Sequence, residues 1–271
     1  MNAPRPPSLS RVIDLSVEVP GTPAEVWESI ASGPGITSWF VPARVDGRPG
    51  GKINLNFGPG MDEQAEITVW EPPHQFTYQE SAGRNLAYAF TVAAQDGGTC
   101  IVRLVNSGFG EGAEWDNEIE SMTGGWKLFL HMLALSRKHF PGQECSSAIV
   151  NVVSPAAPDA VWDILVESLG LAAQEVDSIG AEVTARNPEL PALSGSVVRR
   201  TPGMATILLD QPTTGVAFLL AEPWQNQTVA GIYLYLFGDT AAETLSQDES
   251  AWRDWLARTV PTSPAADPPT A

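Results

Sequence analysis

Two stretches of this chain carry one pattern. Residues 15–30 (LSVEVPGTPAEVWESI) and 150–165 (VNVVSPAAPDAVWDIL) align without a gap. Pro20 falls on Pro155, Pro23 on Pro158, Val26-Trp27 on Val161-Trp162 and Glu28 on Asp163. A second correspondence closes each copy: Trp126-Lys127-Leu128-Phe129-Leu130 matches Trp252-Arg253-Asp254-Trp255-Leu256. An internal repeat constrains architecture before any single residue does, because each copy must bury its own apolar surface. The chain therefore reads as two copies of one domain, and its 271 residues suit two cores. Between the matching tryptophans, the second copy (162 to 252) is shorter than the first (27 to 126).

The repeats are expected over 11–140 and 146–260. A linker near Pro141-Gly142-Gln143-Glu144 separates them, and tails at 1–10 and 261–271 are expected to be flexible. In the first copy, Val12 to Val19 alternates as a strand. Thr22-Pro23-Ala24-Glu25 then opens a helix: the threonine caps, the proline suits the first turn and the glutamate completes a capping box. A short helical piece covers Ile36 to Phe40. Period-two runs follow, with Ile53, Leu55 and Phe57 on one face, then Ala65, Ile67 and Val69, then Phe76 and Tyr78. Leu86, Tyr88, Phe90 and Val92 continue the pattern, and Cys100, Val102 and Leu104 end it. Turns at Gly58-Pro59-Gly60, Glu71-Pro72-Pro73 and Asp96-Gly97-Gly98 separate these runs, as in an antiparallel sheet with one apolar face.

The region 116–140 reads as a long helix with Trp126, Phe129, Leu130, Leu133 and Phe140 on one side. Glu111, Glu114, Asp116, Glu118 and Glu120 lie at its start and Arg137, Lys138 and His139 at its end. That polarity complements the helix dipole, and solvation accounts for the acidic cluster. The second copy reads as a strand (148–153), a helix (158–169), strands near 181–186, 196–200, 204–210, 215–221 and 229–237, and a helix over 247–259. Strands 216–220 and 231–237 are apolar on both faces. An antiparallel sheet with one helix layer ordinarily keeps a polar outer face, so that outer face is expected to be covered, by the first domain or by another subunit.

The net charge of −17, with 15 basic against 32 acidic residues, argues against nucleic acid and anionic membrane surfaces as partners. No apolar run approaches the roughly 18 residues of a membrane span, and Met1 to Ser10 lacks the apolar core of a signal peptide. The two cysteines, Cys100 and Cys145, form no framework, so a reduced, cytoplasmic location is expected.

Specific residues in order carry a resemblance. Val26-Trp27 follows the capped proline helix, and Trp39-Phe40 precedes Gly50-Gly51. Glu71-Pro72-Pro73-His74-Gln75-Phe76-Thr77-Tyr78 sits mid-domain. Gly98-Thr99 opens a strand that runs to Ser107-Gly108-Phe109, and Gly124-Gly125-Trp126 lies on the last helix. Together they resemble the START-related helix-grip superfamily (SRPBCC), and within it bacterial homologues of the C-terminal domain of the heat-shock chaperone ATPase activator. The resemblance covers 11–140 and reaches 146–260 through the repeat. It implies an α+β fold of two tandem helix-grip domains, each a curved antiparallel sheet wrapped around a long C-terminal helix. Many members of the superfamily hold lipids, sterols or polyketides between sheet and helix, and a few are cyclases or hydrolases. Fold likeness alone does not transfer a co-chaperone role.

On that frame the residues expected to face a ligand are Phe57, Phe76, Tyr78, Tyr88 and Phe90 from the sheet. Trp126, Phe129 and Leu130 face them from the helix, with Trp39 near the mouth. An aromatic wall with a few hydroxyls suits a small apolar molecule, and the same residues would equally build a filled core. Catalytic residues are not assigned. His74, His131 and His139 pair with no nucleophile motif, Cys100 reads as a small buried hydrophobe, and no metal-ligand spacing or phosphate loop is present. No cofactor is implied. Three readings stand at this point: non-catalytic binding of a small hydrophobic or aromatic ligand in the first domain; a chaperone-related or dimerising interaction module, through homodimer or interdomain packing on the second-domain sheet; and a cyclase- or hydrolase-type enzyme using Tyr78 or Tyr88.

Overall fold

The computed structural model describes residues 11–58, 60–80, 85–224 and 226–262. Pro59 and most of the two tails lie outside the described residues. The chain divides into two units, one ending at Gly142 and the other beginning at Gln143. Each is a helix-grip domain of the α+β class.

The first unit runs β1 (Ile13–Pro20), α1 (Pro23–Ala31), α2 (Gly33–Thr37), β2 (Ala43–Val45), β3 (Lys52–Asn56) and β4 (Asp62–Glu71). It continues with β5 (Gln75–Glu80), β6 (Ala87–Gln95), β7 (Thr99–Ser107) and α3 (Ala113–His139). The strands pair antiparallel in the order β1-β7-β6-β5-β4-β3-β2. Consecutive strands from β2 to β7 are neighbours, and β1 closes the near edge against β7. The short edge strand β2 was not legible in the sequence. Alternation places Ile53, Leu55, Ala65, Ile67, Phe76, Tyr78, Phe90, Val102 and Leu104 in the core. Trp126, Leu130 and Leu133 of α3 are buried with them, and Trp126 meets Phe90 at a ring separation of 6.0 Å.

The entry to α1 forms as its sequence dictates. The Thr22 side chain accepts from the Glu25 amide, and the Glu25 carboxylate accepts from the Thr22 amide at 2.7 Å. A Cβ on Gly35 would lie 1.9 Å from the Glu28 carbonyl oxygen, so the tight α1–α2 corner requires glycine there. Thr22→Ala is expected to lower stability by about 1 kcal/mol, read as a shift in the urea midpoint. The bonds from Thr22 hold the Glu25 carboxyl below its ordinary value of 4.5. Its contribution is therefore present above pH 4.5 and lost as pH falls through the lower folded-state value. Glu25→Gln lacks that carboxylate, so its midpoint and that of the parent chain should converge in that acid window.

The second unit runs β8 (Cys145–Ser154), α4 (Pro158–Ser168), α5 (Ala173–Val176), β9 (Glu182–Thr184), β10 (Ser194–Thr201) and β11 (Met204–Gln211). It ends with β12 (Gly215–Trp224), β13 (Gln227–Phe237) and α6 (Ala241–Thr259). Its sheet order, β8-β13-β12-β11-β10-β9, repeats that of the first unit with one strand fewer at the far edge. The short helix α5, not anticipated, stands where α2 stands in the first unit. Trp252, Trp255 and Leu256, the counterparts of Trp126, Phe129 and Leu130, are all buried in its core. The Trp255 indole donates to Ser168 Oγ at 3.2 Å. Every residue from Gly215 to Ala221 is buried, so both faces of β12 are removed from water.

Candidate functional site

In the first unit a half-open cleft of about 210 Å³ remains between sheet and helix. The sheet supplies Leu55 from β3, with Phe57 just beyond its end, Glu63, Gln64 and Ala65 from β4, Tyr78 and Glu80 from β5, and Tyr88 from β6. The strand register explains the set. Leu55 lies opposite Glu63, Ala65 opposite Glu80, and Tyr78 opposite Tyr88. Cross-strand partners share a face, so one row of the concave surface runs through all three pairs. The helix supplies Glu118, Met122, Gly125, Trp126 and Phe129. At ~100° per residue these fall within one third of the α3 circumference. Phe40, just after α2, closes the end.

The rings brace one another. Phe40 packs on Trp126 at 5.0 Å, on Phe129 at 4.7 Å and on Phe57 at 5.5 Å. Tyr78 and Tyr88 stack at 4.8 Å, and Tyr88 approaches Trp126 at 5.7 Å. The Tyr88 hydroxyl donates to Glu80 Oε1 at 2.8 Å. Burial, first, and then the carboxylates of Glu63 and Glu80 push the Tyr78 phenol far above its ordinary value. Burial, Tyr78 and Glu80 do the same for Tyr88. Both hydroxyls stay protonated across the physiological range and can donate hydrogen bonds.

Of the residues expected to face a ligand, Phe57, Tyr78, Tyr88, Trp126 and Phe129 line the cleft, while Trp39, Phe76, Phe90 and Leu130 do not. Trp39, expected near the mouth, is a core residue. It is 1% exposed, its indole donates to the Ser29 carbonyl at 2.8 Å, and it packs against Phe40 and Phe90. Phe76, Phe90 and Leu130 are buried behind the cleft wall. The polar lining went unread. Glu63 and Glu80 continue the alternations Ala65-Ile67 and Phe76-Tyr78 by one step each, and carrying the register outward would have found them. Glu118, read as part of an acidic helix start, turns toward the cleft.

Other candidates offer less. The Cys100 thiol is buried in contact with the Gly21 carbonyl, at 3.3 Å, and burial raises its pKa, as it does for Cys145. Among the described residues no three His, Cys, Asp or Glu side chains converge as metal ligands, and no helix is long and apolar enough to cross a membrane. In the second unit an open groove runs beside α4. There Arg200 stacks on Trp162 at 4.3 Å and pairs with Asp177 at 2.8 Å.

Residues 20–135 match the family model of activator of Hsp90 ATPase homolog 1-like proteins. Among solved structures, a protein from Mesorhizobium loti is 17% identical, with a TM-score of 0.44, covering 48% of this chain and 98% of its own. The dimeric Aha1 of Colwellia psychrerythraea is 16% identical, with a TM-score of 0.42 over 48% of this chain and 98% of its own. The di-domain aromatase/cyclase BexL of the BE-7585A biosynthetic pathway is 13% identical, with a TM-score of 0.43, covering 94% of this chain and 100% of its own. No curated protein is similar enough in sequence to match.

Proposed function

We propose that this chain, whose residues 20–135 match the model of activator of Hsp90 ATPase homolog 1-like proteins, binds a small hydrophobic or aromatic molecule in the cleft between the sheet and α3, without chemical turnover. The observation that carries this reading is the cleft itself. A core built only for stability would fill its volume, because interiors pack to crystal density. Here six aromatic rings leave about 210 Å³ open beside a small set of polar atoms. That combination of apolar wall and few orienting groups is the usual chemistry of a small-molecule site.

The volume suits a ligand of one or two rings better than a long acyl chain. Tyr78 and Tyr88, the residues that a cyclase or hydrolase reading would use, argue for binding over reaction. A general acid works best with a pKa near the operating pH, and burial moves both phenols the opposite way.

Native mass spectrometry of the protein purified from cells, followed by extraction and identification of small molecules, tests the proposal. A near-stoichiometric apolar compound, absent when the cleft is filled by substitution, is the expected result. A protein that carries no compound and shows no affinity for planar aromatic probes would overturn it. The family's description supplies a second reading, a chaperone-related interaction module. The same spectra address it, since an apo homodimer would favour interaction over ligand capture.

A further inference from the structure

Two side chains of the cleft wall hold a hydrogen-bond donor that has no partner among the described residues: the Tyr78 hydroxyl on β5 and the Trp126 indole N–H on α3. Tyr78 is 4% exposed and Trp126 5%, yet neither polar atom is sealed inside the core. Buried tyrosine and tryptophan usually direct these donors to the protein, as Trp39 does to the Ser29 carbonyl and Tyr88 to Glu80. The Gln64 amide at the cleft is also committed. It donates to Asn54 Oδ1 at 2.8 Å and accepts from Lys52 Nζ at 2.6 Å.

The Tyr78 ring packs against three others, Tyr88 at 4.8 Å, Phe76 at 5.4 Å and Phe90 at 6.4 Å. Its hydroxyl is therefore held at one point of the wall, and burial keeps it protonated. A ligand that fills the cleft displaces water from this hydroxyl. It must then supply a hydrogen bond itself or leave a buried polar group unpaired, which is costly. An acceptor oxygen can satisfy either uncommitted group. A ligand donor can serve only the tyrosine, because an indole N–H cannot accept.

We infer that Tyr78 sets the specificity of the cleft by donating its hydroxyl hydrogen to an acceptor oxygen on a small aromatic ligand. The inference deepens the ligand-binding reading and rests on it. It separates occupants by one atom: an aromatic ketone is retained by this bond, and a hydrocarbon of the same shape gains nothing from it.

The test uses 2-acetylnaphthalene and 2-isopropenylnaphthalene, which share shape and differ as C=O against C=CH2. Each is titrated into the full parent chain and into Tyr78→Phe, with binding followed by tryptophan fluorescence. Tyr78→Phe keeps the ring and its packing, and its melting temperature reports whether it folds as the parent does. The ketone is expected to bind Tyr78→Phe about fivefold or more weakly than the parent, while the hydrocarbon changes by less than about twofold. The carbonyl stretch of the bound ketone, read by isotope-edited infrared difference spectroscopy, should lie lower in the parent than in Tyr78→Phe. A purely structural role of Tyr78 would weaken both probes alike and leave the stretch unmoved. That outcome, an unchanged ketone affinity, or a stretch in the parent equal to that in hexane overturns the inference, and the apolar receptor stands as long as the hydrocarbon binds. If neither probe binds the parent chain, the receptor reading falls with it.

Discussion

Trp39→Ala is expected to destabilise the first unit by about 3–5 kcal/mol, the cost of removing a fully buried indole from a packed core. Trp39 is 1% exposed and lies between Phe40 and Phe90. Its ring thus links the α1–α2 corner to the sheet. The substitution also removes the bond from the indole nitrogen to the Ser29 carbonyl, worth about 1 kcal/mol net. Against the roughly 5–15 kcal/mol that holds a domain folded, the loss is a large fraction of the total. Chemical denaturation followed by circular dichroism would read it as a large fall in the midpoint. Trp39→Phe separates structure from recognition. It keeps most of the ring burial and should cost less than alanine. Its affinity for a cleft ligand should match the parent, because Trp39 does not line the cleft. A Trp39→Phe protein of parental stability that binds a ligand tenfold more weakly would place Trp39 in the site after all.

The contrast between Trp39 and its neighbour shows what a sequence can convey about such a site. Trp39-Phe40 is legible as an aromatic pair after a short helix, and an aromatic pair at a domain mouth reads as recognition. Which ring faces the void depends on how the chain leaves the α1–α2 corner, where Gly35 closely approaches the Glu28 carbonyl. No periodicity encodes it; Phe40 lines the cleft and Trp39 does not. The strands were readable because alternation is local: Phe76-Tyr78 and Tyr88-Phe90 sit in the core as their period requires. The same alternation held more than was taken from it. Glu63 and Glu80 extend those runs, but charged residues at strand ends normally mark the exit to solvent. Only the registers, with Ala65 opposite Glu80 and Leu55 opposite Glu63, place them at the cleft instead. The duplicated pattern made the second unit's architecture legible from a short match, including the helix that carries Trp252. It gave no warning of α5 or β2, whose few residues are held by tertiary contacts rather than by propensity.

Gly125→Leu is the substitution expected to abolish binding while leaving the fold stronger. Glycine in a helix interior is unfavourable by about 1 kcal/mol relative to good helix formers. Gly125 sits in the middle of α3, on the face that lines the cleft. A Cβ built there meets no atom within 4 Å, so the space beside it is open rather than filled by neighbours. A leucine would project its side chain into that space and against the aromatic wall, gaining burial as well as helix propensity. Its melting temperature should rise by a few degrees. A side chain of that size occupies much of a 210 Å³ cleft, so affinity for any occupant should fall by more than tenfold. Gly124→Ala is the matched control. Gly124 is exposed and adjacent, with no atom near its added Cβ. It should raise stability by a similar increment without touching affinity. The pair thus divides two explanations for glycine at this point of the helix. If Gly125→Leu lowers stability, the space is not the void that the geometry shows. If it is stable and binds as the parent does, the ligand sits elsewhere in the chain. Loss of binding with gain of stability in Gly125→Leu, beside unchanged binding in Gly124→Ala, is the outcome expected if the space beside Gly125 holds the ligand.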